Sequence, residues 1–66
     1  MLDNNTYNLM SQLTEMNRSL WRIKNEYRKD ADKSRCGECI AFWERLEKDM
    51  EARTKELEGL IKEHLK

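Results

Sequence analysis

The chain has 66 residues, 39% of them charged, with thirteen basic residues balancing thirteen acidic ones. A chain this short forms one domain at most, and a lone core of that size supplies only roughly 3–5 kcal/mol, so partner chains, a metal or a disulfide are expected to help. The charge balance excludes a general pull toward nucleic acid or anionic lipid, and the lack of Pro with only two Gly favours long helices over strands.

The N-terminal MLDNNTYN has neither a basic n-region nor an apolar h-region, and no long apolar run follows it. The sequence therefore predicts no secretion signal and no membrane span, and a cytoplasmic location is the simplest expectation. In a reducing compartment a close cysteine pair more often signals metal binding or redox chemistry than a structural disulfide.

Leu9, Leu13, Met16, Leu20, Ile23 and Tyr27 recur at alternating spacings of four and three, with Leu2 and Thr6 extending the pattern. This is the a/d seam of a coiled-coil helix. It predicts helix 1 over about 5–34, with Asp3, Asn4 and Asn5 as candidate N-caps, and its register runs on to Asp30 and Ser34. Cys36, Cys39, Trp43, Leu46, Met50, Leu57 and Leu60, interrupted by Arg53, form a second seam and predict helix 2 over about 39–65.

The two seams are out of phase, so one continuous helix cannot hide both on one side. A turn is expected at 35–38, with Gly37 as its left-handed residue. An antiparallel register that sets a positions against d positions puts Tyr27 on Leu46, Ile23 on Met50 and Trp43 on Asp30. A rival turn at DADKS would instead leave CGEC in the first turn of helix 2. Outside the seam, Glu44 to Lys48, Glu51 to Lys55 and Glu58 to Lys62 read as i,i+4 pairs on a solvated face.

The predicted fold is thus all-α, an antiparallel two-helix hairpin. Tyr7, Met10 and Trp21 lie beside the first seam, and Ile40, Phe42 and Ile61 beside the second, which is more apolar surface than one hairpin buries. This predicts a homodimer forming a four-helix bundle, with Tyr7, Met10, Trp21, Phe42 and Ile61 at the interface.

Cys36 and Cys39 in CGEC carry three readings. Tetrahedral zinc takes four ligands, which two chains would complete by sharing their thiolates, and an iron–sulfur cluster is a less favoured occupant of the same set. A Cys-x-x-Cys at a coiled-coil apex resembles the zinc hook of long DNA-repair ATPases, although no Pro separates these cysteines; the resemblance implies Cys36 and Cys39 as metal ligands. A redox pair is the second reading, because a helix N-terminus lowers thiol pKa, and small apolar packing at the tip is the third.

Arg18, Trp21, Arg22, Arg28 and Lys29 lie in the most basic stretch and offer a nucleic-acid surface as an alternative function. No Ser/His/Asp set, Gly-rich phosphate loop or Glu-x-x-His pair is present, so the expectation is not an enzyme. It is a small homo-oligomeric module whose CxxC either binds metal across subunits or responds to redox state.

Overall fold

The computed structural model describes residues 3–65, so Leu2, assigned to the seam by spacing, lies outside the described residues. Of the three candidate caps Asp3 is the one used: it sits in extended backbone and accepts the Thr6 N–H at 2.8 Å, opening α1 (Asn4–Arg22). That bond satisfies one of the free amides of the first turn. Being made to the ionised form, it also holds the Asp3 carboxyl below its ordinary pKa.

A π-helical stretch, Ile23–Tyr27, links α1 to α2 (Arg28–Lys33). Its mark is the Arg28 N–H bonding back to the Ile23 carbonyl. A π turn holds more residues than an α turn, so it rotates everything that follows relative to the heptad count. Ala31, 7% exposed, therefore takes the seam place that unbroken spacing assigns to Asp30, while Asp30 and Ser34 stay exposed.

α2 ends in a Schellman arrangement. The Cys36 N–H donates to the Ala31 carbonyl at 3.1 Å and the Arg35 N–H to the Asp32 carbonyl at 3.0 Å. This pair of bonds needs a left-handed residue directly after Ser34. That residue is Arg35, with φ 54°, and no glycine has positive φ, which corrects the assignment of this role to Gly37. Gly37 instead opens α3 (Gly37–His64), with Cys36 as its N-cap. The chain therefore turns at residues 34–36: CGEC belongs to the first turn of α3, as the rival placement has it, but the rival's DADKS is helical through Lys33 rather than a turn.

α1, the π stretch and α2 pack antiparallel against α3 in a body of 48 × 16 × 13 Å. On the first arm the predicted seam stands: Thr6, Leu20 and Ile23 are buried, Ile23 to 1%, and Leu9, Leu13, Met16 and Tyr27 are half-buried. On α3 the a positions Trp43, Met50 and Leu57 also face inward, but the partner row is Ile40, Glu47, Thr54 and Ile61. It is not Cys39, Leu46, Arg53 and Leu60, for Leu60 is 47% exposed, Leu46 is half-buried, and exposed Arg53 pairs with Glu56 at 2.7 Å.

Two rows one residue apart compete on α3, and polar compensation lets the inner one win. Thr54 satisfies its buried hydroxyl by donating to the Met50 carbonyl at 2.7 Å. Glu47, with a side chain only 17% exposed, lies 3.5 Å from the Arg28 guanidinium across the interface. Its Oε1 is buried and makes no hydrogen bond, so Arg28 holds it by charge rather than by directed bonding.

The register at the closed end differs from the predicted one for the same reasons. Tyr27 packs on Trp43, ring centroids 5.0 Å apart and planes tilted at 43°, rather than on Leu46. Glu44 and Glu51 do not simply serve their own helix: Glu44 reaches Arg28 at 3.2 Å, and Glu51 reaches Lys24 at 3.8 Å. Among the described residues the buried apolar side chains are Leu20, Ile23, Ala31, Leu57 and Ile61, a thin core for a free-standing domain. No helix among them is long and apolar enough to cross a membrane.

Candidate functional site

The closed end brings the chemistry together. Because Cys36 is the N-cap and Cys39 lies in the first turn, one turn of helix stacks the two side chains, with Cα atoms 5.2 Å apart and the sulfurs joined at disulfide distance. The Cys39 N–H, which has no partner within the helix at that position, donates to the Cys36 sulfur at 3.1 Å. Cys36 is half-buried and Cys39 exposed.

Beside the sulfurs runs an open groove of about 250 Å³ lined by Tyr27, Asp30, Ala31, Ser34, Cys36, Cys39 and Trp43. The Trp43 ring meets both Tyr27 and Phe42, the latter edge-on at 5.2 Å. Such contacts stiffen one wall of the groove. Trp43 and the cysteines were expected together from sequence. Asp30, set on Trp43 by the predicted register, and Ser34, the last position of the first seam, were expected there too; Ala31 was not, because unbroken heptad spacing gives its seam place to Asp30.

The residues proposed from sequence as an oligomer interface separate into three places. Helical geometry of about 100° per residue puts Tyr7, Met10 and Trp21 on the side of α1 from which Lys24 reaches Glu51. On α3, Phe42, with Leu46 and Leu60, falls on the side of the seam away from Glu44 and Glu51, and so does Cys39. The hairpin accordingly carries one apolar stripe on each broad face. Tyr7, Trp21 and Phe42 are 63%, 57% and 48% exposed. Ile61 belongs to neither stripe: it is 9% exposed inside the hairpin, which corrects its place at an outer interface.

The basic stretch is partly absorbed by the fold. Arg28 lies between Glu44 and Glu47, and Arg18 pairs with Glu15 at 3.2 Å. Trp21 remains open beside Arg22, while Lys29 lines a second shallow depression with Lys24, Arg28, Asp32 and Ile40. Among the described residues no three His, Cys, Asp or Glu side chains gather in one place, so a thiolate metal site would have to draw on more than one chain. The chain matches no protein-family model, and comparisons with curated proteins and with solved structures give no match.

Proposed function

We propose that this protein is a small self-associating hairpin module whose Cys36–Cys39 pair is a redox-responsive element, and that it is not an enzyme. The observation that carries this reading is the placement of both sulfurs, within bonding distance of one another, at the N-terminal turn of α3 on an open groove. A helix N-terminus favours the thiolate form of a cysteine placed on it, and here the Cys39 N–H is donated to the Cys36 sulfur.

Self-association is assigned to the α1 stripe of Tyr7, Met10 and Trp21, with Thr14 at its middle. Residues 1–17 contain no Lys or Arg, only Asp3 and Glu15, whereas Arg18, Arg22 and Lys24 follow closely. Two copies crossing antiparallel at Thr14 set the acidic half of each α1 against the basic half of the other, with Tyr7 near Trp21 of the partner subunit. This leaves the sulfur groove, on the opposite face, open to solvent.

A second reading keeps zinc. Cys39 shares its face with Phe42, Leu46 and Leu60, so a parallel pairing of two α3 helices through that stripe would approximate the cysteines of two chains and supply four thiolates. Only the reduced pair can ligate, so zinc and the disulfide are alternative states of the same sulfurs. Nucleic-acid binding through Arg18, Trp21, Arg22, Arg28 and Lys29 ranks below both, since Arg28 and Arg18 already meet carboxylates. It would declare itself by a steep loss of binding with added salt.

Sedimentation equilibrium of the full chain separates the two faces. Trp21→Glu is expected to weaken self-association at least about tenfold, as loss of a buried aromatic anchor does, and Phe42→Glu to leave it within about twofold. The reverse pattern, with association restored by zinc, would move the interface to the cysteine face and favour the metal reading.

A further inference from the structure

The redox reading names a bond but not the molecule that makes or breaks it. Resting on that reading, we infer that Cys39 is the sulfur an incoming thiol attacks, that Cys36 is the sulfur that leaves, and that the groove favours thiols bearing a positive charge over those bearing a negative one.

Access and leaving-group stability agree on the order. A thiolate must approach the attacked sulfur from outside the protein, and Cys39 is the exposed member of the pair while Cys36 is half-buried. The departing sulfur carries away the electron pair of the broken S–S bond, so the better-stabilised thiolate leaves faster. Cys36 is that one: it caps the 28-residue α3 and already receives the Cys39 N–H at 3.1 Å.

The exchange balances with a soluble thiol as the reductant. A thiolate RS⁻ attacks the Cys39 sulfur, forming a Cys39–SR mixed disulfide and releasing Cys36 as thiolate. A second RS⁻ then attacks the R-bearing sulfur, releasing RSSR and the Cys39 thiolate. The protons given up by the two thiols end on Cys36 and Cys39, and the protein disulfide is reduced as the thiols are oxidised. Selectivity follows from the walls. Tyr27, Ala31 and Trp43 are apolar or aromatic, and among the described residues Asp30 is the one charged side chain lining the groove. Arg35 and Glu38 flank the cysteines in sequence but do not line it, and they offset one another in charge.

The test uses the oxidised full-length chain with two small thiols, cysteamine and mercaptoacetate, each rate corrected to its thiolate concentration and divided by the rate of the same thiol with an uncharged small disulfide, since thiolate nucleophilicity itself varies with thiol pKa. Rapid alkylation followed by fragmentation of the tryptic peptide 36–45, which holds both cysteines, locates the adduct. The expected result is the thiol on Cys39 and the alkyl group on Cys36, with cysteamine faster by about fivefold, the size of one carboxylate acting across a solvated groove. Asp30→Asn should bring that ratio to near one with the adduct still on Cys39. An adduct on Cys36 overturns the assigned order, and a ratio unmoved by Asp30→Asn overturns the assigned selectivity. Failure of the redox reading itself looks different: the chain then shows no disulfide mass under oxidising conditions, and neither thiol has anything to exchange with.

Discussion

The two ends of the hairpin are built on different physics. At the open end, α1 and α3 meet through side chains that follow the heptad, with Thr6 and Leu20 on one arm and Thr54, Leu57 and Ile61 on the other buried, and the backbone stays α-helical throughout. At the closed end the backbone departs from the α-helix at the π stretch and again at left-handed Arg35. Packing there relies on the Tyr27–Trp43 ring contact, the Arg28 ion pairs and the sulfur pair. The irregular end gathers seam residues of both arms, together with Ala31, around one groove, and it is there, where local rules are broken, that the sulfur pair lies.

The largest test of this contrast lies at the junction. Among the described residues Ile23 is the one side chain buried to 1%, and it begins the π stretch. Ile23→Ala should cost about 2–5 kcal/mol, enough to unfold most of a hairpin this small, as a collapsed thermal transition in far-UV circular dichroism. A loss under about 1 kcal/mol would mean that the junction is loosely packed.

The next effect is electrostatic. Arg28→Met removes the charge facing the enclosed Glu47 carboxylate, and leaving that group uncompensated should cost about 1–3 kcal/mol. Adding Glu47→Leu should recover most of the loss, since an apolar seam needs no counter-charge; a denaturant-melt double-mutant cycle reads the coupling. Independent, additive losses would contradict the role given to this pair.

Backbone strain gives a smaller change of opposite sign. Arg35 holds a left-handed conformation that costs a residue with a Cβ roughly 1 kcal/mol. Arg35→Gly should therefore stabilise the hairpin by about that much, raising the urea midpoint with an unchanged slope. Destabilisation would show that the Arg35 side chain contributes more than its backbone geometry costs.

The smallest effect belongs to the open end. The Asp3 pKa is lowered by the Thr6 N–H bond, so the native state binds its proton less readily than the unfolded chain. The stabilisation is complete above the unfolded pKa and fades as pH falls through the folded one, in the region below about pH 4. Amide exchange at Thr6 and Tyr7, compared between wild type and Asp3→Asn, should show this fading in the wild type alone. Identical acid profiles would remove Asp3 from the cap.

How much was legible follows the same division. The first seam could be read because Leu9, Leu13, Met16, Leu20 and Ile23 offer one unambiguous stripe. On α3, Leu46 and Leu60 compete with Glu47 and Ile61 one residue further on, and hydrophobicity alone prefers the former. What reverses the choice is Arg28, a residue on the other arm. The π stretch left no compositional mark in IKNEY, and without it Ala31 and Asp30 exchange places. Gly37 drew the turn toward itself because glycine usually takes the left-handed position, whereas the Schellman bonds fixed that position at Arg35. The sulfur site was recognised as a pair from its spacing. Its wall residues Tyr27, Asp30, Ser34 and Trp43 lie on the two seams read from the sequence, and Ala31 is the one the heptad count misses.

Native mass spectrometry of the full chain, prepared without chelator and recorded before and after reduction, tests the central claim most directly. The account predicts a metal-free dimer in which each chain is lighter by the two hydrogens a disulfide has lost, recovering them on reduction without dissociating. A dimer that carries one zinc on reduced thiols, and that loses it when Cys36 is replaced, would contradict the account and establish the shared metal site in its place.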